Sequence, residues 1–437
     1  MAKKLKTPAY MKDFHCLGGD CIDTCCQHWD INLDRYHYNK MEKILQEHPD
    51  QAGKFQQHIK LHEPELSSDK NYAFISLSES GFCPFLKSDG LCDIHAQFGI
   101  EPLSDVCAFF PRVISSINDT LEMTGALSCP EVVRLCLTTD DGAQEFADGS
   151  MNILPRQEHV PISRCIDKDD NSFYSQAFVR VRDVMLTLAG SDDYALETRL
   201  YFLANFAYRV SGNYHQMSEQ YHKSLDEEIK RIQSRQIQQQ LEDYFNRFEN
   251  IEPVAVVVIQ AILQLRIQHA KNDKLSQLAM AILERYRTGL PIDGKSEIFA
   301  DNLPPQQLWQ AYQLNWEKVN ARVGVLLEKI LTRYLINVLQ REWFIAMPDP
   351  FVFMQMLIIR ISLLRFLAAS HPSICNMLDS EMSDAQLQED VTEEMVKLIY
   401  LFARSIDHNH AFLNVIFQAM LEQQMLSFDY SLPFIKI

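Results

Sequence analysis

The chain has no G-x-G-x-x-G after an apolar strand and no His/Glu zinc motif. These gaps exclude a doubly wound dinucleotide site and a metallohydrolase centre of the familiar helical type. It is short of cations, with 41 Lys and Arg against 58 Asp and Glu and a formal charge of −17. Phosphate contacts need Lys and Arg clustered on one face, so no nucleic-acid partner is expected, and a basic partner surface suits the chain better. No apolar run follows the basic start MAKKLKTPAY, so no secretory leader is expected and the expected location is cytoplasmic. The most apolar stretch, residues 351–369, carries Arg360 and Arg365 in its middle and falls short of a clean membrane span; a buried core helix and no membrane partner are expected. Strand signals are few, AFISL at 73–77 being the best, and no repeat recurs at a fixed period.

What is present is helical periodicity over most of the length. With 437 residues, 47% of them hydrophobic and 23% charged, the chain has the balance of a folded protein of two or three domains. Tyr174, Phe178, Val181, Met185 and Leu188 recur at three- and four-residue steps and line one helix face; Gly190 stops that helix and Ser191 is placed to cap the next. Further helices are predicted near 193–211, 215–247, 252–269, 273–287, 306–346, 350–369, 384–405 and 408–426, with a short one opened by Ser128 and Pro130. Trp309, Trp316 and Trp343 lie along the long 306–346 segment, as core or as a docking face for an elongated helical partner. The fold class is mostly α: a small irregular cysteine-rich metal-binding domain at 1–140, an exposed Gly- and Pro-containing linker at 141–164, and a multi-helix domain at 165–437.

The cysteines are unevenly spread. Of eleven, eight fall between residues 16 and 129. A reducing compartment disfavours a disulfide framework, so clustered thiols there point to metal ligation or redox chemistry. They come in two batches, Cys16, Cys21, Cys25 and Cys26, then Cys83, Cys92, Cys107 and Cys129. Each batch holds the four thiolates that close a tetrahedral zinc site or an iron–sulfur cubane. The vicinal pair Cys25–Cys26 suits two different sites, because neighbouring side chains point different ways. Gly18, Gly19, Gly81 and Gly90 beside these cysteines let backbone amides approach sulfur. His15, His28 and His95 are alternative ligands.

The order Cys16-x4-Cys21-x3-Cys25-Cys26-x2-Trp29 with Ile31 and Asp34, then Cys83-Pro-Phe-Leu, Gly90-Leu-Cys92-Asp-Ile94, Leu103-Ser-x2-Cys107-x2-Phe110-Pro-Arg112 and Cys129-Pro-Glu131-Val132 resembles the flagellin lysine-N-methylase family of bacteria. It is also similar to short cysteine-cluster proteins described as zinc- or iron-chelating. The resemblance is carried by roughly residues 14–132. It implies methyl transfer from S-adenosylmethionine to lysine ε-amines of flagellin, with the eight cysteines holding a [4Fe–4S] cluster or zinc. Against that background Trp29 is suited to shield a cluster or stack on an adenine, and Arg112 to pair with a cofactor carboxylate or with cluster charge. Asp23, Asp34, Asp93, Asp105 and Glu131 are candidates to take the substrate ammonium proton. Radical S-adenosylmethionine enzymes use C-x3-C-x2-C, whereas here Cys21-x3-Cys25 is followed at once by Cys26. The competing reading is a non-enzymatic interaction protein with a structural zinc or iron–sulfur module.

Overall fold

A computed structural model describes residues 4–139, 144–167, 173–212, 219–249, 253–270, 273–289 and 304–437. The chain divides into two compact units, Met1–Asp169 and Asp170–Ile437.

The first unit contains more sheet than the sequence pattern shows. Strands β1 (Lys4–Pro8), β5 (Arg112–Ile117), β6 (Thr120–Gly125), β7 (Phe146–Gly149) and β8 (Arg164–Ile166) form a mixed sheet in the order β7-β1-β6-β5-β8. β5 and β6 make a two-residue hairpin, Ile117 facing Thr120 across Asn118 and Asp119. Both turn residues have positive φ, 51° and 65°, the mirror-image turn whose twist matches paired strands and which Asn and Asp tolerate best. β7 lies inside the stretch read as a linker and pairs antiparallel with β1, Lys6 opposite Asp148. Strands β2 (Asn32–Leu33), β3 (Ile59–Leu61) and β4 (Ala73–Ile75) make a smaller antiparallel sheet, so the AFISL segment is a strand as predicted.

Among the described residues this unit has five α-helices: α1 (Arg35–Gln46), α2 (Pro49–His58), α3 (Asp93–Phe98), α4 (Asp105–Phe109) and α5 (Pro130–Thr138). Asp34 caps α1, accepting from the His37 amide at 2.9 Å, and His37, Met41 and Leu45 form its buried stripe.

The second unit is helical throughout its described residues. Its helices are α6 (Phe173–Ala189), α7 (Leu196–Ser211), α8 (Glu219–Ile232), α9 (Arg235–Arg247), α10 (Val254–His269), α11 (Lys274–Gly289), α12 (Pro305–Arg341), α13 (Pro350–Ser370), α14 (Pro372–Leu378), α15 (Asp384–Phe402), α16 (His410–Glu422) and α17 (Phe428–Ile435). The predicted 215–247 helix is two helices, broken at Gln233 and Ser234. α7 starts after Ala195, and Ser191 instead accepts from the Asp193 amide. The start of α7 is satisfied from another helix: Glu328 of α12 accepts from the Leu196 amide at 2.7 Å.

α13 is long and apolar enough to cross a membrane, but every residue except Arg365 is buried within the helical unit, as a core helix should be. Trp309 and Trp343 are buried, and Trp316 lies under the Arg365 guanidinium at 4.0 Å. The tryptophans therefore belong to packing rather than to an open docking face.

Candidate metal centre

Short-range pairing brings the two cysteine batches together. The Cys83 amide donates to the Cys26 carbonyl at 2.9 Å, and Gln27 bridges Phe82 in antiparallel register. From Cys83 the chain turns back through Gly90, which has a φ of +79°, and Leu86 bridges Cys92. Cys83 and Cys92 thus stand at the two ends of one tight hairpin. The Gly18–Gly19 loop packs on the tip of that hairpin: a Cβ at Gly19 would sit 2.6 Å from the Asp89 carbonyl oxygen. Gly18 also donates its amide to Cys16 Sγ at 3.4 Å, the approach expected of a glycine beside a metal ligand.

Three thiols lie at helix starts. Cys92 precedes α3, Cys107 is in the first turn of α4, and Cys129 precedes α5. No capping hydrogen bond of standard geometry forms at Cys92 or Cys129, yet the amides of Ile94 and His95 favour a Cys92 thiolate, and those of Glu131 and Val132 a Cys129 thiolate. Burial opposes them and prevails. Cys129 is pushed up to about 12 and Cys83 to about 11. Cys107 goes to about 12 by burial, with the Ser104 hydroxyl working the other way. Cys26 is raised far above the ordinary thiol range, first by its hydrogen bond with Cys25, then by burial and by the charges of Cys25, Cys107 and Cys83. Without a counter-cation such a group stays protonated; a soft cation is what makes thiolates of it.

Among the described residues no three cysteine sulfurs lie within 4.8 Å of one another. Four thiolates on one zinc sit roughly 3.8 Å apart, given Zn–S bonds of about 2.3 Å.

The other sequence candidates take distinct places. Arg112 opens β5 with its guanidinium 4.9 Å from the Phe14 ring, and it feels the charges of Cys16 and Cys129. Trp29 meets Phe110 edge-on at 5.1 Å, and its indole N–H is buried with no hydrogen-bond partner. The candidate acids are engaged elsewhere. Asp23 accepts from Gln27 at 2.7 Å, Asp93 from Gln51 and Gln97 at 2.6 Å, and Glu131 is bidentate to Arg134. His15 Nδ1 lies 2.9 Å from the Asp13 carbonyl, and exposed His28 and His95 are not gathered with the sulfurs into a compact donor set.

Three features were not anticipated from the sequence. Asp34, His37 and Asp105 place ligand atoms within 4.8 Å of one another. Asp105 is paired with Arg156, and His37 Nδ1 with Asp34, whose carboxyl is held low by those His37 hydrogen bonds against the effect of burial. The group reads as an ionic knot tying α1 to α4, and the i,i+3 spacing of Asp34 and His37 was its available signal. In the helical unit, Arg360 binds Glu342 through two hydrogen bonds of 3.0 and 2.9 Å. Tyr334 donates to fully buried Asp407 at 3.0 Å, beside a π-turn at Ala403–Asp407. Finally, Gly289-x4-Gly294-Lys295-Ser296 has phosphate-loop spacing. That loop should follow a strand; Gly289 ends α11, and residues 290–303 lie outside the described residues.

The FliB lysine N-methylase C-terminal domain family matches residues 182–433, more than half of the chain. The chain belongs to the FliB lysine N-methylase family. Similar proteins include the lysine-N-methylases of Salmonella choleraesuis and Salmonella typhimurium, each 32% identical over 136 residues, covering 31% of this chain and 32% of theirs. The flagellar biosynthetic protein FliU of Salmonella muenchen is 30% identical over 135 residues, covering 31% of this chain and 77% of its own. The matched stretch thus spans about a third of the length of the two lysine-N-methylases. No solved structure matches the chain. In this FliB-family chain the family domain lies on the helical unit, while all eight clustered thiols lie in the unit before it. An apolar cleft between α10 and α16, lined by Val254, Val257, Ala261, Ile416 and Met420, has no charged side chain among the described residues that line it.

Proposed function

We propose that the chain transfers methyl groups from S-adenosylmethionine to lysine ε-amines of flagellin, in the cytoplasm, with a thiolate-held iron–sulfur cluster in its first unit. The observation that carries this reading is the conjunction of FliB-family membership with eight cysteines gathered from more than a hundred residues of sequence. When bound, an iron–sulfur cluster supplies one-electron chemistry or a Lewis-acidic iron.

The chain's own residues suit a thiolate-held group. The N–H groups of Ile94 and His95 favour a sulfur anion at Cys92, and those of Glu131 and Val132 one at Cys129, against burial. Arg112 adds a fixed positive charge beside Cys16 and Cys129. The unpartnered Trp29 indole N–H offers a hydrogen bond to a cluster or cofactor acceptor.

Lysine must reach the donor as a neutral amine; its nitrogen then takes the sulfonium methyl in line, the S–CH3 electron pair stays on sulfur, and the surplus ammonium proton leaves to solvent or a base. Asp23, Asp93 and Glu131 are tied into their own hydrogen bonds, so they serve this unit as caps and clamps before any role as base.

The second reading, a metal-binding interaction protein, draws on the thiols at the starts of short helices, which would serve equally as a structural clamp. Intact-mass measurement of flagellin from cells with and without this gene separates the two. Additions of about 14 Da per methyl group that vanish on deletion support the enzyme. Identical masses would leave only the clamp.

A further inference from the structure

The helical unit carries a connected run of aromatic rings that reaches its surface. Tyr201 of α7 stacks on Phe245 of α9 at 5.0 Å, lies parallel to Tyr244 at 6.5 Å and meets Phe428 of α17 at 5.7 Å. Phe428 meets Tyr208 at 5.5 Å, and Tyr208 stands edge-on to Phe351 of α13 at 5.2 Å. Tyr201 and Phe245 are buried, but Tyr244 is 60% exposed and Tyr208 52%. Two open tyrosines on one connected cluster differ from the singly scattered apolar residues of an ordinary surface. One ammonium already stands on this cluster: Lys436 Nζ lies 4.4 Å from the Phe245 ring centroid and donates to the Phe248 carbonyl at 2.7 Å. The charges beside the open rings favour cations as well. Asp243 precedes Tyr244, Asp429 follows Phe428 and Glu249 lies just beyond α9, all three exposed. Of the cations, Arg209 beside Tyr208 is tied to Glu228 at 2.8 Å, and Arg247 stands in the last turn of α9.

We propose that this aromatic face docks lysine-bearing segments of the protein substrate, Tyr208 and Tyr244 receiving ammonium groups on their rings while Asp243 and Asp429 supply countercharge. The face of a tyrosine ring attracts a cation through its quadrupole, as Phe245 does with Lys436. A nucleic acid could stack on the same rings, but the carboxylates beside them repel its phosphates. The attraction is modest at an exposed ring, so removing both tyrosines should weaken binding about tenfold rather than abolish it. All these rings lie within the residues matched by the family domain, so the face gives that domain a part in choosing the substrate.

This inference rests on the flagellin reading above, and its test separates the two failures. Flagellin monomer from cells lacking this gene is titrated into the full chain by calorimetry, and methyl transfer is followed by intact mass as the flagellin concentration varies. Y208A/Y244A should weaken binding and raise KM about tenfold with kcat unchanged, whereas Y208F/Y244F, which keeps both ring faces, should behave as the unaltered chain. D243N/D429N should also weaken binding and flatten its dependence on salt. Both tyrosines are open to solvent, so the variants should fold as the unaltered chain does. Acetylating the flagellin lysines removes their charge, and the resulting loss of affinity should be smaller in Y208A/Y244A than in the unaltered chain. Unchanged binding and KM in Y208A/Y244A, or an equal acetylation penalty, overturns the docking face and leaves methylation of flagellin standing. Ring-dependent binding without methyl transfer by the metal-loaded chain supports the face and overturns the enzymatic reading. Failure of the unaltered chain to bind flagellin overturns both.

Discussion

Gly19 shows how closely the cysteine loops fit. Its missing side chain lets one loop rest on the carbonyl of Asp89, so a Cβ there meets backbone at 2.6 Å. Gly19→Ala should cost about 1–3 kcal/mol, the usual penalty for overpacking, and should loosen metal retention with it. Urea unfolding paired with metal analysis checks this; an unchanged midpoint would show that the loops do not need that contact. The glycines were legible as places of close approach, but the partner was not, because what approaches Gly19 lies seventy residues on. Arg360 makes the second case at this scale. It joins Glu342 and Asp407 in the core, where removing one charge strands the others. Arg360→Met should destabilise the helical unit by about 3–5 kcal/mol, measured by thermal unfolding. In the sequence Arg360 reads only as an interruption of an apolar run, since Asp407 lies 47 residues beyond it.

At the scale of elements, the turn between α15 and α16 carries a pH dependence. Arg341 donates to His408 Nε2 at 2.7 Å although His408 is exposed at the surface; the protein packed round its ring first, then the Arg341 charge, lower its pKa. The unfolded chain therefore binds this proton from about pH 6.5 downward while the folded chain does not. Stability is lost as pH falls from there, by an amount that solvent screening at this exposed ring holds well below the full linkage. Glu342, held at about 2 by Arg360 and Arg341 against burial, adds its own loss below about pH 4.5. Thermal unfolding between pH 7 and 5 should show a falling midpoint that His408→Gln largely flattens; an equal slope in the variant would assign the effect elsewhere. The helices themselves were readable, because a 3.6-residue period is local. The mixed sheet was not. β1 pairs with β6, Leu5 opposite Leu121, and with β7, so that strand depends on partners more than a hundred residues away. The Asn118–Asp119 turn was the one local sign of it, and Ser234 likewise marked the break between α8 and α9.

For the whole molecule, the match to the FliB lysine N-methylase family and the eight clustered cysteines lie in different units. The family domain covers the helical residues, in which the phosphate-loop spacing at 289–296 follows the helix α11 rather than a strand. The cysteine unit was legible in the sequence, through eight thiols falling between residues 16 and 129. What spacing could not tell was which loops lie together, because the Gln27–Phe82 and Leu86–Cys92 bridges join residues distant along the chain or folded back on it. The most direct measurement is the absorption spectrum of the chain purified without oxygen, alongside Cys83→Ser and Cys107→Ser. A band at about 400 nm that bleaches on reduction, and that weakens with loss of metal in both variants, is the predicted result. A colourless, metal-free chain that is nonetheless fully folded, with both variants as stable as the unaltered protein, would contradict it.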